Sequence, residues 1–233
     1  KMYRGKKILA VVPARGGSKG IKLKNLRTIN SISLVGMVGK CVKELKMIDK
    51  VILSTDHKLI ADEGRRNGIE VPFMRPKELS GDFISDWQVL DHALSIMEEI
   101  ESTIFDIIIM LQPTSPLRKP YHINRAIEHL IENDFDSVWT ISKTDSKYHP
   151  HKQLVLNENE FNYYEENGKN IIARQQLSDV YHRNGICYVF TRNCIKSQKQ
   201  IKGAISGYLI INEPSISIDT EEDLLKVKNL LKN

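Results

Sequence analysis

We predict an α/β fold in which a mostly parallel sheet carries helices on both faces, and two observations support it. Short apolar runs without polar alternation recur along the chain, as in strands that are buried on both sides. The segments between them place apolar residues at the helical period. Strands that alternate with helices are typical of parallel sheets, because a parallel pair needs a crossover connection. The 233 residues suffice for one large domain or two small ones, and we expect a single domain over residues 1–233.

The individual elements follow from these patterns and from their end signals. Residues 7–12 are mostly apolar and stop at Pro13, which predicts the first buried strand. Thr220 and Asp223 form a capping-box pattern at the start of the last helix. Pro120 suits the first turn of a helix, where its missing N–H is not needed. The predicted strands are residues 7–12, 50–54, 71–74, 106–111, 136–141, 186–190 and 208–211, and the predicted helices are residues 34–46, 57–67, 86–101, 120–132 and 220–231.

One stretch, residues 142–183, breaks the alternation of strands and helices. It contains β-like pieces at 153–156, 160–164 and 170–173, which are separated by Asn-rich turns. A structureless loop of about forty residues is improbable inside a compact domain. We therefore expect two or three strands that leave the main sheet and pair elsewhere.

The composition argues against several classes of protein. Hydrophobic residues at 41% and charged residues at 27% are close to globular averages, which disfavours disorder, collagen and coiled coil. The longest apolar stretch, residues 107–111, is far shorter than the roughly 20 residues of a membrane helix. The apolar run after the basic start ends too early for a secretory signal. Three cysteines without Cys-x-x-Cys spacing favour buried thiols over disulfides or zinc. We expect a cytoplasmic protein without a membrane partner.

Positive charge is concentrated at the N-terminal end of the chain. The first fifty residues hold 13 Lys or Arg against two acidic residues, a balance of +11, whereas the whole chain is +5 and the remainder is therefore −6. This asymmetry indicates an anionic ligand near that end, with a solvated basic tail as the alternative. Aromatic residues are not interleaved with these cations, unlike in platforms that stack single-stranded nucleic acid. We therefore expect no nucleic-acid partner.

A glycine-rich loop, residues 14–25, follows the first predicted strand. In parallel α/β sheets ligands bind at the carboxyl ends of the strands. Glycines let backbone N–H groups approach a phosphate, and cations in the same loop neutralise its charge. The loop matches neither the P-loop nor the dinucleotide fingerprint, and a plain glycine turn is the alternative. We predict phosphate binding by three glycines and three cations, namely Gly16, Gly17, Gly20, Arg15, Lys19 and Lys24.

Two further candidate sites follow later strands. Residues 111–118 contain two prolines that stiffen a polar loop and so present its side chains rigidly, although a turn with helix-capping hydroxyls explains the same pattern. Asp219 follows the apolar–polar alternation of residues 215–218 and is the best metal candidate, with support of the last helix as the alternative. Mg²⁺ prefers oxygen ligands and keeps several waters, so one or two carboxylates plus substrate phosphates suffice. Polar residues also gather at 54–56 and 75–86.

Six motifs are spread in order over nearly the whole chain. They are residues 14–25 (ARGGSKGIKLKN), 54–56 (STD), 75–79 (RPxEL), 111–118 (LQPTSPLR), 174–176 (RQQ) and 184–188 (NGxxY). Together they resemble the motifs of the acylneuraminate cytidylyltransferases, the CMP-sialic acid synthetases. The resemblance implies a Rossmann-like fold of the nucleotide-sugar transferase type, in which residues 142–183 form a protruding β-rich dimerisation segment. It also implies a homodimer that uses Mg²⁺ to transfer CMP from CTP to the anomeric hydroxyl of a nine-carbon 2-keto sugar acid, releasing pyrophosphate.

The resemblance also implies a role for each matching residue. The sugar oxygen would attack the α-phosphorus, while the protein positions the reactants and neutralises phosphate charge. Arg15, Lys19 and Lys24 would provide that neutralisation. The remaining implied roles are nucleotide binding by Ala14, Arg15, Lys24, Asn25 and Arg75, sugar binding by Gln112, Arg174 and Tyr188 together with Lys152 contributed from the second subunit, and Mg²⁺ binding by Asp219.

The chain departs from the family pattern at two places. The family usually has Asp-x-Asp before the last helix, whereas this chain has Ser217 in the first position, so the number of metal ions stays open. A family arginine that contacts the sugar is replaced by His182, with Arg183 next to it. N-acetylneuraminate is the default substrate, and a diamino relative such as legionaminic acid competes with it. The alternative enzyme is a nucleotidyltransferase of the same fold that acts on 3-deoxy-manno-octulosonate, although that group usually has a different first loop.

Overall fold

The computed structural model describes residues 2–232, and that part of the chain contains one six-stranded sheet, two small hairpins and six α-helices. The strands are β1 (Ile8–Pro13), β2 (Thr28–Ile29), β3 (Ile32–Ser33), β4 (Lys50–Ser54), β5 (Ile107–Met110), β6 (Ser137–Lys143), β7 (Leu154–Asn157), β8 (Glu160–Tyr163), β9 (Tyr181–Thr191) and β10 (Ser206–Ile210). The helices are α1 (Leu34–Val42), α2 (Lys58–Arg66), α3 (Asp86–Ile100), α4 (Pro120–Glu132), α5 (Arg192–Lys196) and α6 (Glu221–Leu230). Within residues 2–232, no helix combines the length and the apolar character that crossing a membrane requires.

The main sheet has the strand order β10-β6-β9-β5-β1-β4. Strands β10 and β6, β5 and β1, and β1 and β4 pair in parallel, whereas β9 is antiparallel to both of its neighbours. The predicted mostly parallel sheet is confirmed, with β9 as the exception. The chain from β6 to β9 contains no α-helix that could cross back over the sheet, so β9 enters at the end where β6 leaves and runs in the opposite direction.

The first strand faces a separate hydrophobic core on each side of the sheet. Ile8, Ala10 and Val12 pack with residues of α1, α2 and α4, whereas Leu9 and Val11 pack with residues of α3 and α5. All five side chains are fully buried. This double burial explains the apolar run without polar alternation, and it confirms that helices cover both faces.

The predicted strand at residues 71–74 is wrong. Glu70 forms a single β-bridge with Ile52, and the chain then leaves the sheet edge at β4. Pro72 has no N–H to donate to a ladder, which explains why pairing stops there. Two elements were not predicted, the short helix α5 and the hairpin of β2 and β3.

Two of the three β-like pieces in residues 142–183 form strands. Strands β7 and β8 pair with each other outside the main sheet, as expected, whereas residues 170–173 are irregular. Every residue of this hairpin is exposed, including apolar Leu156 at 82% and Phe161 at 65%. The hairpin therefore presents an apolar surface that the described chain does not cover.

Candidate functional site

A cavity of about 600 Å³ lies at the carboxyl ends of β1 and β5. Parallel strands bring the loops after them to one edge of the sheet, which is where α/β proteins bind ligands. The glycine-rich loop, the loop before α3, the loop after β5 and the residues before α6 form its walls. Seven predicted site residues line it together, namely Arg15, Lys19, Lys24, Asn25, Arg75, Gln112 and Asp219.

Hydrogen bonds from buried and half-buried groups hold the glycine-rich loop in place. The Gly16 N–H donates to Asp56 Oδ1 at 2.8 Å. The side-chain amide of Asn25, which is buried, donates to the Arg15 carbonyl oxygen at 3.0 Å and so joins the two ends of the loop. Ala14 continues β1, since its N–H donates to the Ser54 carbonyl oxygen, and it is buried beneath the cavity rather than lining it.

The loop cations are paired with two carboxylates that also line the cavity. Lys24 Nζ lies 2.8 Å from Asp219 Oδ1. Arg15 Nη2 lies 2.9 Å from Asp82 Oδ1, and Lys19 Nζ lies 2.7 Å from Asp82 Oδ2. The hydrogen bond from Lys19, together with the nearby positive charges, lowers the pKa of Asp82. Asp82 belongs to the predicted polar cluster 75–86, but sequence reasoning did not single it out.

Arg75 is a buried guanidinium that faces the cavity. It is 5% exposed, and its Nε has no hydrogen-bond partner within residues 2–232. Burial lowers the pKa of Arg75, while the charge of Asp56 acts in the opposite direction. A desolvated cation without full hydrogen bonding favours an anionic or carbonyl ligand strongly, because an unsatisfied buried donor is costly.

Arg118 holds the loop after β5 against the Asn-Gly turn of β9. It is buried, and it donates to the carbonyl oxygens of Gln112 at 2.6 Å, Gly185 at 3.2 Å and Ile186. Gly185 has a φ of +71°, and a Cβ there would lie 2.3 Å from Ser115 Oγ, so a larger residue does not fit. The motifs at 111–118 and 184–188 therefore pack on each other and position Gln112.

The other residues assigned to sugar binding lie outside this cavity. Tyr188 is buried, and its hydroxyl accepts a hydrogen bond from the Gly185 N–H at 2.8 Å. Arg174 lines a second cavity of about 530 Å³ with the buried His149. Lys152 is exposed in the segment outside the main sheet. A single chain thus brings only Gln112 of this predicted group to the first cavity.

His182 and Arg183, where the sequence departs from the motif pattern, have different surroundings. His182 Nδ1 lies 2.9 Å from Thr144 Oγ1. The guanidinium of Arg183 lies over the rings of Trp139 and Tyr188, with its Cζ 5.2 Å and 6.0 Å from their centroids. Stacking on two rings fixes the orientation of a guanidinium and leaves its charge exposed to the neighbouring space.

Asp219 provides oxygen ligands of the kind that Mg²⁺ prefers. Its carboxylate is 70% exposed on the cavity wall, and Ser217 lines the same wall. Within residues 2–232 no group of three or more His, Cys, Asp or Glu side chains is arranged to hold a metal ion. One carboxylate completed by substrate phosphates and water fits the chemistry of Mg²⁺, so the residues present are compatible with the implied ion.

Comparison with known proteins gives consistent results. The cytidylyltransferase family profile matches residues 9–225. The chain is 30% identical to a post-translational flagellin modification protein B of Campylobacter coli, covering 97% of this chain and 95% of that protein. It is 30% identical to a pseudaminic acid cytidylyltransferase of Campylobacter jejuni, covering 97% of both. It is 29% identical to an N-acylneuraminate cytidylyltransferase of Streptococcus agalactiae, covering 95% of this chain but 52% of that longer protein.

Solved structures share the fold over the full length. A CMP:2-keto-3-deoxy-manno-octonic acid synthetase in complex with CTP matches with a TM-score of 0.70 at 16% identity, covering 97% of this chain and 98% of the other. A 4-diphosphocytidyl-2C-methyl-D-erythritol synthase from Anaerococcus prevotii matches with a TM-score of 0.67 at 14% identity, covering 99% and 98%. These two structures therefore support the α/β fold of the chain with its mostly parallel central sheet.

Proposed function

This chain belongs to the cytidylyltransferase family, and on that premise we propose that it transfers CMP from CTP to a sialic-type sugar acid and releases pyrophosphate. The observation that carries the proposal is the convergence of four cations from two segments on one cavity: Arg15, Lys19 and Lys24 from the glycine-rich loop, and Arg75 from the loop before α3. Relatives at about 30% identity over nearly the whole chain are named for this activity.

The main role of the cations in this reaction is to neutralise negative charge on the phosphates. Attack of the sugar hydroxyl on the α-phosphorus spreads negative charge over phosphoryl oxygens and the leaving pyrophosphate. Arg15, Lys19 and Lys24 lie on one short loop, so they neutralise that charge without rearrangement of the fold. Arg75 and Asn25 line the same cavity and contact the nucleotide. Ala14 supports them from the end of β1.

We propose that Asp219 binds Mg²⁺ together with the phosphates of CTP. The ion would neutralise phosphate charge and orient the triphosphate. Lys24 already contacts one carboxylate oxygen of Asp219, which leaves the second oxygen for the ion. The family has a carboxylate where this chain has Ser217, so the protein contributes one charged ligand here.

For the acceptor we propose a nine-carbon 2-keto acid, with neuraminic, pseudaminic and legionaminic acids as the candidates. Gln112 lines the cavity, and Arg118 holds its backbone carbonyl oxygen in place. We propose that Arg174 and Tyr188 take part in sugar recognition together with Lys152, which the second subunit contributes. Sugar recognition is then complete only in a dimer. The exposed apolar hairpin of β7 and β8 supports this, because uncovered patches of this kind mark interaction surfaces.

The test of the proposed function is pyrophosphate release. The purified chain is incubated with Mg²⁺, each nucleoside triphosphate in turn, and a panel containing the three acids named above and 3-deoxy-manno-octulosonate. We expect turnover with CTP and at least one nine-carbon acid. Turnover with 3-deoxy-manno-octulosonate alone would favour the other enzyme, and folded protein without turnover on any acceptor would contradict the proposal.

A further inference from the structure

The cavity has three acidic residues, and one of them is unpaired. Asp82 is engaged by Arg15 and Lys19, and Asp219 is engaged by Lys24. Asp86 lines the same cavity but makes neither a side-chain hydrogen bond nor an ion pair within 4 Å anywhere in residues 2–232. Its carboxylate is therefore free to accept a proton or a hydrogen bond from a ligand.

Asp86 is held rigidly at the first position of α3. The preceding residue, Ser85, caps the helix by accepting from the Gln88 N–H, and the Gln88 side chain returns a bond to the Ser85 N–H. This reciprocal cap fixes the backbone on which Asp86 stands. A side chain on a capped helix is positioned better for chemistry than one on a loop.

Asp86 lies on the side of the cavity toward β9. The phosphate-binding loop follows β1, Gln112 follows the neighbouring β5, and Tyr188 lies on β9 beyond it. The charge of Arg183, on β9, acts on Asp86, and the charge of Asp86 acts on Tyr188. Trp87, the next residue of α3, donates its Nε1–H to the Ile195 carbonyl oxygen at 2.7 Å, and α5 directly follows β9, so the start of α3 lies toward β9. A triphosphate held by the loop after β1 would leave the space beside Gln112 and Asp86 to the acceptor.

The surroundings of Asp86 suit a proton acceptor. The side chain is half-buried, and burial raises its pKa above the ordinary carboxyl value, while the positive charge of Arg183 opposes the increase. The groups that face it are the guanidinium of Arg183 and the hydroxyl of Tyr188, both on β9. A carboxylate of increased basicity transfers protons more effectively near neutral pH.

We infer that Asp86 is the catalytic base that removes the proton from the attacking hydroxyl of the sugar acid. In this step the anomeric oxygen forms a bond to the α-phosphorus, and the bond from the α-phosphorus to the oxygen bridging the β-phosphate breaks. The hydroxyl proton passes to the carboxylate of Asp86, and the bond electrons leave with pyrophosphate. Arg183 offsets the repulsion between Asp86 and the carboxylate of the acceptor. The inference rests on the proposed cytidylyl transfer.

The experiment compares Asp86→Asn with the wild type and with Glu99→Gln. Glu99 is an exposed acid near the other end of the same helix, so its variant loses the same charge without touching the cavity. We expect Asp86→Asn to lower kcat about 10²–10⁴-fold, with the KM for CTP changed less than about twofold. Glu99→Gln should retain wild-type kinetics.

The pH dependence separates a base from a residue that only supports the helix. The wild-type kcat should fall with decreasing pH as Asp86 is protonated, and the ratio of wild-type to Asp86→Asn kcat should fall in parallel. This ratio cancels the ionisation of CTP itself. A pH-independent ratio, or a decrease in kcat below about threefold, would overturn the inference, because general base catalysis requires a larger effect.

Two further measurements keep the test decisive. If Asp86→Asn fails to fold, Asp86→Glu replaces it, and we then expect a reduced kcat that still falls with decreasing pH, because glutamate is also a titratable base; wild-type kcat without that pH dependence would overturn the inference. Wild-type protein that releases no pyrophosphate from CTP with any acid refutes the proposed function itself. Active wild type with fully active Asp86→Asn refutes only the role of Asp86.

Discussion

The glycine-rich loop allows a sharp test, because two of its glycines differ in what an added methyl group would meet. A Cβ on Gly20 would lie 2.4 Å from the carbonyl oxygen of Asp219 and 3.6 Å from its carbonyl carbon. A Cβ on Gly17 would have nothing within 4 Å. Neither residue has a φ in the left-handed region, so backbone strain does not distinguish them.

The size of the expected effect follows from the overlap. Ordinary van der Waals contact begins at 3.4 Å, so Gly20→Ala requires the loop and the residue-219 backbone to separate by about 1 Å. Both contacting atoms belong to backbone and cannot rotate away. Overpacking of this kind costs about 1–3 kcal/mol, which lowers the Tm of a chain of this size by roughly 2–12 °C.

Activity should respond more strongly than stability. The displaced segment carries Asp219, whose carboxylate contacts Lys24, so the shift moves both a phosphate cation and the proposed metal ligand. A misplacement of about 1 Å costs as much as 10²-fold in rate. We expect kcat/KM for CTP to fall about 10²-fold in Gly20→Ala and to stay within about twofold of wild type in Gly17→Ala.

Two measurements check this prediction, namely thermal unfolding followed by circular dichroism and steady-state pyrophosphate release. Equal damage in both variants would mean that the loop needs glycine for its own flexibility and not for its approach to Asp219. Wild-type behaviour of Gly20→Ala would mean that the close approach of the two segments is not needed for function.

Three other perturbations have defined outcomes. Lys24→Ala should lower kcat/KM for CTP about 10²–10³-fold in steady-state kinetics, since a preorganised cation is lost, while urea unfolding changes by less than about 1 kcal/mol because the pair with Asp219 is partly exposed. Burial lowers the pKa of His122 to about 4. Between about pH 6.5 and 4, His122 is protonated only in the unfolded chain. The free energy of unfolding should therefore decrease by about 3 kcal/mol as the pH is lowered through that window. His122→Gln should remove this decrease, which urea titrations at several pH values measure. In light scattering, replacing Leu156 and Phe161 together by Asp should convert the proposed dimer to monomers, because these paired side chains dominate the exposed hairpin.

Two of these perturbations have a matched control variant, and the third has an outcome that would contradict it. Lys22→Ala changes an exposed cation of the same loop that does not line the cavity, and equal losses in both loop variants would remove Lys24 from a specific role. An unchanged pH dependence in His122→Gln would contradict the buried neutral imidazole. Leu59→Asp introduces one negative charge at a side chain that is 53% exposed on α2, and loss of the dimer in this variant as well would contradict a specific role of the hairpin.

The success of sequence reasoning about the fold follows from burial. Strands such as β1 and β5 are enclosed on both faces, so their sequence contains little besides apolar residues and is easy to recognise. Residues 71–74 are also mostly apolar, but they follow Glu70 at the edge strand β4. There a single β-bridge between Glu70 and Ile52 forms in place of a ladder of strand pairs. The first five residues of β9 include polar and exposed side chains, and they are a strand only because β6 provides partners for them.

The site was predictable where its chemistry is local in the sequence. Arg15, Lys19 and Lys24 stand out because cations and glycines share one loop, and the loop position after a strand indicates an edge of the sheet. Asp82 and Asp86 carry no such local signal, since acids in a polar loop and at a helix start are common on any solvated surface. Only the folded arrangement brings Asp82 to Arg15 and Lys19 and places Asp86 in the same cavity.

The pairing of Asp82 and Asp219 with the loop cations affects which ligands the cavity prefers. Arg15 and Lys19 share Asp82 near one end of the loop, and Lys24 contacts Asp219 near the other. A single phosphate that displaces one carboxylate exchanges one anion for another and gains little. A triphosphate reaches both ends and brings more charge than the carboxylates it replaces. The acids therefore weaken binding of nucleoside monophosphates more than binding of triphosphates, which favours entry of CTP and departure of a product that carries a single phosphate.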